Sequence, residues 1–161
     1  MKIESTAARG NFKLLNGNEC LAEVTYANWF ASRAETRLKN TRLEIKPKNI
    51  WQSKFSILKN DTPAGSITFN WKGHIIINTL DEDHLKTQYV LRAKGFWNMG
   101  FELVDVQEHQ LLFLKPNLSW RKVNYNYEVQ DCNQELSNSL IELLVYAGFS
   151  ANLYMTTMLA G

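Results

Sequence analysis

Cysteine is scarce in this chain: Cys20 and Cys132 stand far apart, with no C-x-x-C pattern. That excludes a disulfide-stapled mini-domain. The spacing leaves one disulfide open, but 161 residues can bury a core without a staple, so two reduced, buried thiols are expected. Reduced thiols point to a reducing, cytoplasmic setting. Histidine is equally sparse. His74, His84 and His109 occupy separate contexts with no second ligand at metal spacing, so no metal site is expected. There is no G-x-S-x-G, no phosphate-binding glycine loop and no dinucleotide fingerprint, so neither an enzyme nor a cofactor is expected. The N-terminus, Met1 to Arg9, lacks the apolar run of a secretory signal. The net charge is only +2, which gives no reason to expect nucleic acid as a partner.

What is present is a globular composition, with 45% apolar and 21% charged residues and a rich aromatic supply of five Trp, six Tyr and eight Phe. One domain over 1–161 is expected, with no linker, internal repeat or low-complexity tract; residues 1–10 read as a loosely ordered N-terminus. From Phe12 to Gln130 the apolar pattern has mostly period two, the mark of half-buried antiparallel strands. In 19–26, Cys20, Ala22, Val24 and Tyr26 share one face. In 54–59 the pair is Phe55 and Ile57, in 64–71 Ile67, Phe69 and Trp71, in 87–94 Tyr89, Leu91 and Ala93, and in 125–130 Tyr125, Tyr127 and Val129. Two runs break the rule. Ile75-Ile76-Ile77 is apolar on both faces, as in a central strand, and 101–106 changes phase between Leu103 and Val104, as at a bulge or in a strand covered on both sides. Asn16-Gly17, Asn60-Asp61, Lys72-Gly73 and Asn98-Met99-Gly100 supply turns. Many short strands without interleaved helices imply a mainly β barrel or sandwich.

The end of the chain changes period. Asp131 to Glu135 offers a helix start, and a helix is expected over 134–161. From Leu140 onward its only charge is Glu142, and its apolar residues wrap every face. Such a helix belongs in a core or in a membrane. Residues 143–161 are long enough for a span, but Ser150, Asn152, Thr156 and Thr157 are costly in hydrocarbon and no Lys or Arg follows. Burial in the core, and no transmembrane span, is therefore the expectation.

A β-rich chain closed by an apolar helix resembles the tubby-like superfamily: the tubby C-terminal domain, the LURP-one-related proteins and the phospholipid scramblases. The resemblance is carried by Trp71-Lys72-Gly73-His74-Ile75-Ile76-Ile77, by Tyr89-Val90-Leu91-Arg92-Ala93-Lys94-Gly95-Phe96-Trp97 and by Leu143-Leu144-Val145-Tyr146-Ala147-Gly148-Phe149. It covers the chain from about Asn11 to the end. It implies a closed antiparallel barrel of about twelve strands enclosing the C-terminal helix. It also implies binding of anionic lipid headgroups or of a protein partner. The Pro-rich extension, calcium loop and cysteine cluster of scramblases are absent, so scrambling itself is not implied.

Charge is unevenly spread. Residues 1–60 carry 11 Lys and Arg against 5 Asp and Glu; residues 61–161 carry 7 against 11. The excess gathers in Arg33, Arg37, Lys39, Arg42, Lys46 and Lys48, with Trp29, Phe30 and Trp51 interleaved. Cations with interleaved aromatics suit an anionic lipid surface, and these six are the candidate binding residues. Asp81-Glu82-Asp83-His84 reads as an exposed acidic turn, and Glu102 and Asp105 as carboxylates facing solvent across the bulge. The competing functional reading is a carrier barrel that holds an apolar small molecule in an open lumen.

Overall fold

The computed structural model describes residues 1–6, 10–27, 33–81, 84–95, 100–117 and 125–159, the side chains of Met158 and Leu159 excepted. Twelve strands precede one helix. They are β1 (Lys2–Ser5), β2 (Phe12–Asn16), β3 (Glu19–Tyr26), β4 (Ala34–Leu38), β5 (Thr41–Pro47) and β6 (Lys54–Lys59). β7 (Thr62–Phe69), β8 (Ile75–Leu80), β9 (Lys86–Lys94), β10 (Gly100–Asp105), β11 (Gln110–Pro116) and β12 (Tyr127–Gln130) follow, then α1 (Asn138–Leu159). Each strand pairs antiparallel with the next, and β1 pairs with β12, so the sheet is a closed up-and-down barrel. The barrel and its C-terminal helix agree with the expected fold class. Because the strands alternate in direction, their connections alternate between two ends. The connection from β12 delivers α1 into one end, and α1 runs to the other.

Strand periodicity places one face of each strand inside. Phe12, Leu14, Ala22, Val24, Leu43, Ile45, Phe55, Ile57, Ile67, Ile75, Ile77, Leu91, Phe101, Leu103, Leu112 and Leu114 are buried together with the helix in one core. Three hairpins carry a register shift beside their turn at the helix-entry end, each with one extra residue: Leu21 in β3, Ala64 in β7 and Leu111 in β11. The extra residues turn inward onto the core. Bulges bend and twist a strand, which is how a flat sheet curls at a barrel rim. The shift opposite Leu103 and Val104 places its extra residue in β11, while β10 keeps its alternation and is buried on both faces from Gly100 to Val104, which is why its sequence is apolar at both Leu103 and Val104.

The bulge in β3 also corrects an expectation. It reverses the phase between Ala22 and Cys20, so Cys20 points outward and is exposed, while Cys132 is half-buried; both thiols are free. The loose N-terminus expected over 1–10 is instead a barrel strand from Lys2 to Ser5, with its apolar Ile3 fully buried. Four residues are too short to show a strand period. The helix begins at Asn138 rather than at 134, with the Ser137 hydroxyl oxygen accepting from the Leu140 amide at 3.2 Å. Trp71 lies beyond the end of β7 and is exposed.

α1 fills the lumen. Leu143 to Asn152 are buried without interruption, so no helix face is left to water over that stretch. Phe149 stacks on Tyr26 (centroids 5.8 Å) and meets Phe55 edge-on at 5.2 Å, while Tyr154 meets Phe101 at 5.3 Å on another side. At Gly148 the helix comes so close to β1 and β2 that a Cβ would lie 3.0 Å from Ile3 Cδ1 and 3.1 Å from Phe12 Cζ. Glu142, the one charge, sits at the entry rim against Lys59 Nζ at 2.6 Å. Deeper in, Asn152 donates to the Gly10 carbonyl at 3.4 Å and lies beside the Tyr26 hydroxyl, whose ionisation burial pushes well above its usual range. Among the described residues no helix is long and apolar enough to cross a membrane.

Two substitutions should register this packing in urea unfolding. Phe149→Ala removes a ring from the barrel axis and should cost about 3–5 kcal/mol. Gly148→Val forces side-chain bulk between α1 and the β1–β2 hairpin and should cost about 1–3 kcal/mol. Both should lower the midpoint while leaving the denaturant slope unchanged; a midpoint equal to wild type for either would mean that the helix does not sit where described.

Candidate functional site

The six candidate cations do not form one patch. β4 and β5 pair with Arg37 opposite Arg42 and Glu35 opposite Glu44, so outward side chains of both signs interleave. Glu44 is buried at 4% exposure on the outer face, held by Arg33 Nε at 2.8 Å with Arg42 at 3.9 Å. Arg42 also reaches Glu35 at 3.0 Å and Asp61 at 3.5 Å. The Glu35 hydrogen bond, backed by the surrounding carboxylates, holds the Arg42 guanidinium above its already high range. Arg33 and Arg42 are therefore committed to carboxylates of the chain itself. Arg37, Lys39, Lys46 and Lys48 are exposed and have no ion-pair partner among the described residues.

These four divide by position. Arg37 and Lys39 lie toward the helix-entry end, in or beside a groove of about 360 Å³ lined by Glu23, Thr25, Glu35, Thr36, Arg37 and Arg42. The groove exists because β3 and β4 pair only at Thr25↔Glu35 and Tyr26↔Ala34 and then part. It mixes two carboxylates with two guanidinium groups, so it offers no single-sign field. Lys46 and Lys48 lie toward the helix-exit end, where Lys54 also points outward and the Lys48 amide bonds the Lys54 carbonyl at 2.7 Å.

Between Lys48 and Lys54 stand Ile50 and Trp51, 94% and 87% exposed; Trp71, in the connection from β7 to β8, is 90% exposed. Trp71, expected on a dry strand face, is instead an exposed turn residue, as is Ile50. The usable signal was the turn chemistry around them. The Asn49 carboxamide accepts from the Ser53 amide at 3.2 Å and donates to its hydroxyl at 3.0 Å. The Asn70 carboxamide accepts from the amides of Lys72 and His74 at 2.9 and 3.0 Å. Side chains that hydrogen-bond the backbone two to four residues ahead mark turns rather than strands. Trp29 and Phe30 lie outside the described residues, as do Glu82, Asp83, Phe96 and Trp97.

The carboxylates of β10 take structural positions. Glu102 points outward yet is only 6% exposed, contrary to the solvent-facing placement expected from sequence. Arg92 Nε and Lys94 Nζ each approach it at 2.6 Å from the neighbouring strand. Burial alone would raise its pKa; the hydrogen bonds from Lys94 and Arg92 outweigh that and hold it below its ordinary value. Asp105 Oδ1 accepts from the Gln107 and His109 amides at 2.8 and 2.9 Å and shapes the turn into β11. No group of three His, Cys, Asp or Glu converges among the described residues. Comparison of the chain with family models, with curated proteins and with solved structures returns no match.

Glu102 generates a pH prediction. With a depressed folded-state pKa, its contribution is fully present above the unfolded value of about 4.3 and is lost as pH falls through the folded value. Glu102→Gln should cost about 1–2 kcal/mol at neutral pH, since Arg92 and Lys94 can turn back to water. The gap between wild type and variant should close progressively below about pH 4. A gap independent of pH between neutrality and pH 3 would show that the ion pairs contribute nothing.

Proposed function

We propose that this chain is a non-enzymatic tubby-like domain that binds anionic phospholipid headgroups through its basic outer surface. The family reading is supported by the architecture: a closed barrel of twelve antiparallel strands around a C-terminal apolar helix. The observation that carries the binding reading is the pair Lys46 and Lys48, exposed, without a carboxylate partner among the described residues, and beside exposed Ile50 and Trp51. Exposed cations next to aromatic side chains match the demands of a membrane interface, where lysine meets phosphate and tryptophan sits at headgroup depth. Each lysine near such a surface contributes about 1 kcal/mol. The carrier reading needs an open lumen, and α1 occupies it. An exposed free thiol at Cys20 fits a reducing, cytoplasmic location for the domain.

Co-sedimentation with vesicles of phosphatidylcholine and phosphatidylserine tests the proposal. The full chain should bind vesicles carrying phosphatidylserine, bind pure phosphatidylcholine poorly, and lose affinity as salt rises, because surface charge is screened within about 10 Å at 0.1 M. Lys46→Glu with Lys48→Glu should reduce binding by more than tenfold, through two lost attractions and two new repulsions of about 1 kcal/mol each. Arg42→Glu, which breaks ion pairs within the chain, should affect stability more than binding. Equal binding to neutral and anionic vesicles would contradict the proposal.

A further inference from the structure

The two ends of the barrel differ in charge and in apolar character. The helix-entry end carries Asp61, Asp81, Glu108, Asp131 and Glu135 in its connections, with Lys39 as the one cation in those connections; Asp61 and Glu108 are met by Arg42 and Arg92 from the adjoining strands. The described residues of the connections at the helix-exit end contain no Asp or Glu and include Lys48, Lys72 and Arg33, the last paired with Glu44. Of the five tryptophans, Trp51 and Trp71 stand in described connections at the helix-exit end. Trp29, Trp97 and Trp120 lie outside the described residues, and the inference rests on Trp51 and Trp71.

Those two are held out by built turns. Trp51 stands within the turn that the Asn49 side chain closes onto Ser53, with the Gln52 amide on the Asn49 carbonyl at 3.2 Å and Gln52 in the left-handed region at φ 50°. Trp71 stands within the turn closed by Asn70, with the Gly73 amide on the Asn70 carbonyl at 3.1 Å and Gly73 at φ 78°. The two turns join β5 to β6 and β7 to β8, so they are neighbours on the same rim. Lys72 Nζ stands 5.4 Å from the centroid of the Trp71 ring, which keeps a cation at the tip. Water is a poor solvent for Ile50, Trp51 and Trp71 at 94%, 87% and 90% exposure, and backbone hydrogen bonds fix them in it.

From this we infer that the protein docks end-on to an anionic lipid bilayer, with Ile50, Trp51 and Trp71 entering the interface and the barrel axis upright on the membrane. The inference rests on the anionic-headgroup reading above and adds the docking face and its apolar anchors. Charge selects the bilayer as occupant: the acid-free, lysine-bearing end is drawn to anionic phosphates, and the acidic end is repelled, so the field of the whole molecule orients it before contact. Tryptophan with lysine at one rim is the residue pair that the headgroup layer accommodates. Turns already closed by these hydrogen bonds lose little backbone freedom on insertion.

The full chain and the variant I50S/W51S/W71S are compared for binding to vesicles of phosphatidylcholine with about 20% phosphatidylserine, plain and with brominated acyl chains. A second variant, W51F/W71F, isolates by difference the emission of the two tips. All substituted side chains are exposed, so each variant should melt with the wild type. Expected are binding weakened about tenfold or more in the serine variant and quenching by brominated lipid of the emission that W51F/W71F lacks. If the wild type binds anionic vesicles while the serine variant binds equally and no quenching appears, end-on docking is overturned and the headgroup reading stands. If the wild type binds no anionic vesicle at any salt concentration, both fall. If the wild type instead self-associates in sedimentation without vesicles, and the serine variant does not, the occupant is the acidic end of a second copy and the membrane inference is overturned.

Discussion

A helix with apolar side chains on every face cannot rest on a surface; it must be surrounded. From Leu143 to Asn152 no residue of α1 reaches water, and the surrounding wall is the barrel itself. The dependence runs both ways. A twelve-stranded barrel is too wide for inward side chains alone to fill, and an empty core would forfeit dispersion contacts all around its lining. Gly148 lies against Ile3 of β1 and Phe12 of β2, Phe149 against Tyr26 of β3 and Phe55 of β6, and Tyr154 against Phe69 of β7 and Phe101 of β10. The helix is thus the common partner of strands, such as β3, β6 and β10, that do not pair with one another.

This enclosure constrains the outside of the molecule. With every inward position given to packing, charge is confined to the outer face and the two ends. On the outer face carboxylates are neutralised locally: Glu44 sinks between Arg33 and Arg42, and Glu102 between Arg92 and Lys94. Leu58, paired with Glu44, and Val104, two residues from Glu102, are also buried although both lie outside the central core. Charge that is not cancelled along the wall remains at the ends, acidic where the helix enters and basic where it leaves. Arg37 of β4 and Lys46 of β5 are exceptions on the wall, exposed and without an ion-pair partner among the described residues.

Much of the fold was legible in the sequence, since period two and an all-round apolar helix are both direct consequences of burial. β3 and β6 have the limits their alternation indicates, and the burial of β10 on both faces shows in its adjacent apolar residues Leu103 and Val104. β1 was illegible because four residues cannot display a period, and its burial comes from pairing with β12 far away in the chain. Cys20 was misplaced because a bulge moves side chains across the sheet without altering the local pattern on either side of it. The candidate site was only partly legible. Sequence shows how many cations there are, but not that Arg33 and Arg42 are committed to Glu44, Glu35 and Asp61. Trp71, two residues past the end of β7, continues its alternation, and nothing but the Asn70 turn distinguishes an extended strand from an exposed tip.

Native-state hydrogen exchange of α1 tests the enclosure most directly. If the helix lies inside a closed barrel, its amides from Val145 to Ala151 exchange only when the whole barrel opens. Their opening free energies then equal the global unfolding free energy and follow it when Phe149 is truncated. Exchange of those amides well ahead of the strands, with an opening free energy far below the global value, would contradict the account and place the helix outside the sheet.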